Sequence, residues 1–336
     1  MLKINNDKKQ IQIPDCWEDL SQSEFVKTCE LLGLLLSGQI SIDVFRLMLL
    51  RKLTGYKRSK HFTLSAEEKE NIDANLTILS NMLTFPTKPH YDRPELLETL
   101  SPDLQQFLKK AFPDEIENTE QIEELYNMRE KPKCRPVVDF KIKRNILGNI
   151  KARNTELQGV YFDIHGYDIT TDLTAEEFVD ANDFLQQFEK TKEEKYLNEF
   201  CSVLYRNNRP DYDTTKVRQA AVQFKYVRTH YKTAIMFLFQ NIIEFFATHP
   251  AFSIFFKKKE GENDGTISLG LADSIYNMSI DGYGSRQEVG QMNVTDYFNI
   301  MLKKLKDTVA QLRASKMDEL KICQALNIDS DVLNRL

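Results

Sequence analysis

The feature that most restricts this chain is a helix start that occurs twice. Asp19–Val26 reads DLSQSEFV and, 153 residues later, Asp172–Val179 reads DLTAEEFV, with five identities in eight positions. In each copy a hydroxyl, Ser21 or Thr174, can accept from the backbone N–H three residues on, while Glu24 or Glu177 reaches back to the cap. Leu20 or Leu173 can then pack against Phe25 or Phe178, completing a capping box with a hydrophobic staple. Both segments are thereby committed to helix.

The flanks extend the likeness. Lys9–Pro14 (KQIQIP) alternates like a short strand before the first copy, and Val160–Ile164 (VYFDI) does so before the second. The first helix should run to Leu36 and end at Ser37-Gly38, with a second from Ser41 to Leu53 closed by Gly55. Leu49-Leu50-Arg51 then corresponds to Leu204-Tyr205-Arg206. These matches suggest a duplicated strand–helix–helix unit. The alternative is that capping boxes are common in helical proteins: Leu64–Glu68 (LSAEE) carries the box but has Lys69 where the staple needs an apolar residue.

Between the copies, a helix is expected over 65–83, then an extended loop at Phe85–Pro94 with three prolines, then short helices over 94–110 and 119–129. Residues 95–130 hold ten acidic and three basic side chains, whereas 131–160 hold eight basic and two acidic. The reversal, with prolines flanking Lys131–Pro136, predicts an N-terminal helical domain over 1–130, a basic linker over 131–159 and a C-terminal helical domain over 160–336. Further helices are expected over 214–248, as one long helix or a pair, and over 269–278, 293–315 and 317–326, with short strands near 9–14, 136–140 and 160–164. The expected fold class is mostly α, multi-helix and two-domain, with a few short β-strands.

Composition removes several classes of function. Only 12 glycines in 336 residues disfavour folds built on glycine-rich turns, and Gly282-Tyr283-Gly284-Ser285 lacks the third glycine and preceding strand of a dinucleotide site. A net charge of −5 supplies no general affinity for nucleic acid. Met1–Gln10 lacks the apolar stretch of a secretory leader, and Thr233–Phe256 is interrupted by Gln240, Asn241, Glu244 and His249-Pro250, so it reads as a buried helix. Five scattered cysteines form no C-x-x-C pair, and five single histidines show no metal-ligand spacing. Asp163, His165 and Asp168 could converge on a metal, although D-x-H at a strand end is a frequent accident. No nucleophile elbow or catalytic constellation stands out, so no enzyme, metal or cofactor is expected.

Two segments could face a partner. Residues 206–232 interleave Arg206, Arg209, Lys216, Arg218, Lys225, Arg228 and Lys232 with Tyr212, Tyr226 and Tyr231, a pattern able to track phosphates while bases stack. Residues 141–153 (KIKRNILGNIKAR) add five positive charges. The competing reading is a solvated face complementing the acidic stretch 95–130 of the same or another chain. Downstream, eight of the 21 phenylalanines lie between Phe224 and Phe256, and Phe252, Phe255 and Phe256 run into Lys257, Lys258 and Lys259. An apolar patch rimmed by charge is a form that docking sites take, so these six residues are the candidate partner contact. The competing reading is a single internal core.

Leu173–Asp213, with its LTAEEFVD helix, its Leu204-Tyr205-Arg206 helix end and its Tyr212-Asp213 turn, resembles tailed-bacteriophage proteins of tail assembly or the virion neck. The first copy departs from that pattern, with Leu50-Arg51 and Gly55-Tyr56 at the corresponding places. The resemblance implies a non-enzymatic protein acting through contacts with other virion proteins or with itself, as a homo-oligomer, in the host cytoplasm during assembly or in the virion. It assigns no active-site residue. The alternative function is a helical nucleic-acid-associated protein using the 206–232 face, with nucleic acid the less favoured partner and no membrane expected.

Overall fold

A computed structural model describes residues 2–334 apart from 7–8, 56–64, 82, 84, 92–133, 208, 210–211, 257–270, 327 and 329. More than half of the described residues are helical, and the strands are short and confined to small sheets. The chain divides into two compact units, Met1–Lys141 and Ile142–Leu336. The boundary therefore falls inside the expected linker. Residues 134–138 and 150–159 are strands of the units on either side, because their alternating side chains find pairing partners there. The expected helices over 94–110 and 119–129, and the acidic stretch 95–130, lie outside the described residues.

The first unit opens with an antiparallel hairpin, β1 (Leu2–Asn6) and β2 (Lys9–Ile13). A 3-10 turn, Trp17–Asp19, leads into α1 (Gln22–Leu36), where Ser21 and Glu24 make the complete capping box. Helix α2 (Ile42–Thr54) is capped by the Ser41 hydroxyl and stops at Gly55, whose φ of 65° is the left-handed conformation that glycine adopts without steric cost. Phe25, Cys29, Leu32, Phe45, Leu49 and Leu50 are fully buried between these helices, as the spacing of apolar residues on both requires. Trp17 joins this core with its ring edge-on to Phe25 and Phe85, and its indole N–H donates to the Asp139 carbonyl at 2.8 Å. Helix α3 (Ala66–Asn81) follows. The proline-rich stretch is not wholly loop: β3 (Thr87–Tyr91) pairs with β4 (Cys134–Val138), setting Pro89 opposite Pro136. A two-stranded ribbon tolerates this because each strand has a free edge that needs no N–H donor.

The second unit opens with β5 (Ile150–Ala152) and β6 (Thr155–Gly159), a hairpin later joined by β9 (Tyr205–Arg206). A second hairpin, β7 (Phe162–His165) and β8 (Asp168–Thr171), precedes α4 (Ala175–Thr191), whose capping box is made by Thr174 and Glu177. Each capped helix thus follows a hairpin and leads into a second helix, here α5 (Glu194–Leu204). The strand next to the second box is β8 rather than the 160–164 segment expected from the sequence.

The aromatic region is a helix pair, α6 (Thr214–Phe224) and α7 (Thr229–Thr248), ending in a 3-10 turn at Ser253–Phe255. Asn241, the polar residue that interrupts α7, is buried because its amide brackets the backbone of Ile142, accepting from its N–H and donating to its carbonyl, both at 2.9 Å. Helices α8 (Leu271–Ile280), α9 (Arg286–Gln291) and α10 (Val294–Ala314) complete the main body. Short helices α11 (Glu319–Leu326) and α12 (Ser330–Leu333) bury Ile322 and Leu333 against Val309 of α10. No helix among the described residues is long and apolar enough to cross a membrane.

Where α7 ends, His249 couples local geometry to pH. Its Nδ1 accepts the Ala251 N–H at 3.1 Å, its ring stacks on Phe252, and Tyr167 of the β7–β8 turn meets it edge-on. Burial lowers the imidazole pKa, opposed by a hydrogen bond with the Tyr167 backbone and by the charge of Asp168. A histidine lowered in the fold is favoured neutral, so its contribution is complete above the unfolded value of about 6.5 and is lost as pH falls through the folded value. Asparagine at this position can accept from the same N–H without titrating. The melting temperature of His249→Asn is therefore expected to fall less between pH 7 and pH 5 than that of the parent, and parallel pH profiles would contradict this.

Candidate functional site

Asp172–Asp180 meets Leu204, Arg206, Arg209, Tyr212 and Thr214 at the start of α4. Glu177 supplies the link. Besides closing the capping box, where it accepts the Thr174 N–H at 2.9 Å, its fully buried carboxylate pairs with Arg206 and with Arg209, the latter at 3.2 Å. Arg209 also forks onto Asp172, with Nε to Oδ2 and Nη2 to Oδ1 both at 3.1 Å, and donates to the Leu204 carbonyl. Burial lowers the Arg206 pKa, and the adjacent Glu177 charge opposes that. By contrast, Glu24 of the first copy closes its box at a solvent-exposed helix start.

A second layer lies beside the first. The Tyr212 hydroxyl donates to Asp180, and the Thr214 hydroxyl lies 3.0 Å from Asp180 and 3.1 Å from Glu176. Burial foremost, and then the Asp180 charge, push the Tyr212 pKa far up, so its phenol stays protonated as a donor. Burial also raises Glu176, helped by the nearby charges of Asp180 and Asp213. The Arg206 guanidinium lies over the Tyr212 ring at 4.9 Å. The start of α10 is laced to the same place: Asn293 donates to the Thr171 carbonyl, the Ala175 N–H donates to Met292, and the Val294 N–H donates to Leu173. Tyr205, the middle residue of the Leu-Tyr-Arg end, is buried against Gly159 and shares hydrogen bonds with Asn145. Chemically, this hub is a clamp, because its charges and hydroxyls are directed at one another and draw three distant segments together.

The contact residues expected from the sequence are placed differently. Phe252 and Phe256 are only 5% and 7% exposed, and with the half-buried Phe255 they surround Phe298 of α10 at ring distances of 5.5 to 5.9 Å. They are core, because the 3-10 turn after α7 folds the chain back over α10 and removes these rings from solvent. Lys257, Lys258 and Lys259 lie outside the described residues.

The 206–232 segment is likewise not one basic face. Arg206 and Arg209 pair with Glu177, Lys216 with Asp213, Arg218 with Glu199, and the buried Lys232 with Glu194 at 2.7 Å. Interleaved sequence is shared between two helices and a turn, and pairing with local carboxylates consumes most of its charge.

Among the described residues, the only three potential metal ligands gathered together are Asp15, Cys16 and Asp19, so Asp163, His165 and Asp168 do not converge as a trio. His165 and Asp163 stand 3.2 Å apart on β7. The sequence offered Arg209 only as one of the phosphate-tracking cations of 206–232; its pairing with Asp172 and Glu177 carries no local signal. Sequence reasoning also missed an outward stripe on α8, where Tyr276 is 58% and Ile280 66% exposed, with Tyr283 exposed just beyond.

The chain matches no protein-family model, no curated protein and no solved structure.

Proposed function

We propose that this chain is a non-enzymatic bacteriophage protein of tail assembly or the virion neck, working through protein–protein contacts. The phage assignment is carried by the resemblance over Leu173–Asp213, and the internal clamp gives that pattern a physical purpose. Its acids and arginines are spent on joining 172–180 to 204–214. The contact role is supported by the α8 stripe: Tyr276 and Ile280 lie one turn apart on the same helix face, exposed where a protein without a partner gains nothing from them.

The test replaces Tyr276 and Ile280 with serine in the genome that encodes the chain. The expected result is an unchanged melting temperature for the purified protein, with at least about a tenfold loss of infectious particles, since apolar hot spots dominate binding energy. Normal particle yield would overturn the assignment of the stripe, and a genomic setting without portal, tube or tape-measure genes would overturn the phage reading. Binding to nucleic acid that weakens steeply between low and moderate salt would favour the alternative.

A further inference from the structure

The two basic segments singled out in the sequence come together at one place. Arg153, in the two-residue turn between β5 and β6, lays its guanidinium over the ring of Tyr226 at 3.2 Å. Tyr226 follows α6, is 50% exposed, and lies between the exposed Lys225 and Arg228. Arg153 holds φ at 54°, the left-handed region that hairpin turns ordinarily assign to glycine at this place. A long cationic side chain at a glycine position is accounted for by what it reaches, the face of Tyr226. On the hairpin itself, Lys151 sits across from Glu156, which leaves Arg153, Lys225 and Arg228 as the outward cations around one exposed ring.

We infer that this basic–aromatic patch binds the acidic stretch 95–130 of a second copy of the chain. Charge complementarity carries the choice of occupant. That stretch bears ten acidic and three basic side chains, a net charge of −7 within a chain of net charge −5. A polyphosphate suits the patch less well, because three cations offer few phosphate contacts. A peptide whose carboxylates are spaced can pair with these cations while an apolar side chain covers the exposed face of Tyr226. The inference deepens the contact-protein reading and rests on it only in taking association as the activity.

The experiment is sedimentation velocity of the full chain with a charge swap. Wild type should self-associate at about 50 mM salt and lose about tenfold or more in affinity by about 300 mM, as exposed ion pairs are screened. Lys225→Glu with Arg228→Glu, which leave the Arg153–Tyr226 contact in place, should abolish association without lowering the melting temperature, and so should Glu115→Lys with Glu117→Lys and Glu123→Lys. Mixing the two variants should restore a complex, because the reversed patch then meets a reversed segment. A wild-type chain that stays monomeric, or association indifferent to the patch variant, overturns the inference while leaving the α8 test standing. Loss of oligonucleotide binding in the patch variant, with no charge-swap rescue, would assign the patch to nucleic acid and overturn it as well.

Discussion

Glu177→Ala is expected to destabilise the second unit by about 3–5 kcal/mol, the range for removing one partner from a buried ion pair. The mutation strips the shared carboxylate from Arg206 and Arg209, whose side chains are nearly buried, and leaves two like charges without their common anion. It also releases the Thr174 N–H at the helix start. The counterpart Glu24→Ala should cost only about 1 kcal/mol, since its carboxylate serves an exposed cap alone. Urea unfolding of the two variants measures the contrast directly. Equal losses would mean that the arginines add nothing beyond the cap. Glu177→Gln separates the terms, because glutamine can still accept from the Thr174 N–H but carries no charge.

Phe298→Ala should cost about 3–5 kcal/mol, as for other large-to-small changes at packed aromatic sites. Phe298 is fully buried and lies within 4.8 to 5.9 Å of the rings of Phe178, Phe246, Phe252, Phe255 and Phe256. Phe178→Ala should fall in the same range, since this staple residue is itself buried against Phe239, Phe246 and Phe298. For the same reason, serine at both Phe252 and Phe256 should lower the melting temperature sharply. A double variant that melts like the parent would restore those rings to the surface. Thermal unfolding followed by circular dichroism distinguishes the outcomes.

Both capping boxes, the Gly55 stop, the α3 span and the approximate start of α10 are legible in the chain because each depends on contacts a few residues apart. A hydroxyl three residues before a glutamate specifies its own hydrogen bonds whatever surrounds it. Strands are less legible. β5 and β6 and the pairing of β3 with β4 depend on partners, so alternation over three to five residues carries little signal without knowledge of what lies opposite. The boundary between the units falls inside the basic run read as a linker, but parts of that run pair as strands, which its charge alone does not show.

The local sequence by itself determined the capped starts of α1, α2 and α4, the glycine stop of α2, and that the protein is predominantly helical. Only the tertiary structure decided which faces are inside. Phe252 and Phe256 have the same composition and neighbours whether they dock a partner or fill a core, and it is the turn after α7, closing over Phe298, that buries them. Arg206 and Arg209 likewise read as a phosphate-tracking pair until Glu177, about thirty residues earlier in the chain, arrives between them. Hydrogen bonds of a helix cap are local and are written in order along the chain. Burial and ion pairing depend on which distant segments meet, and that is decided when the whole unit packs.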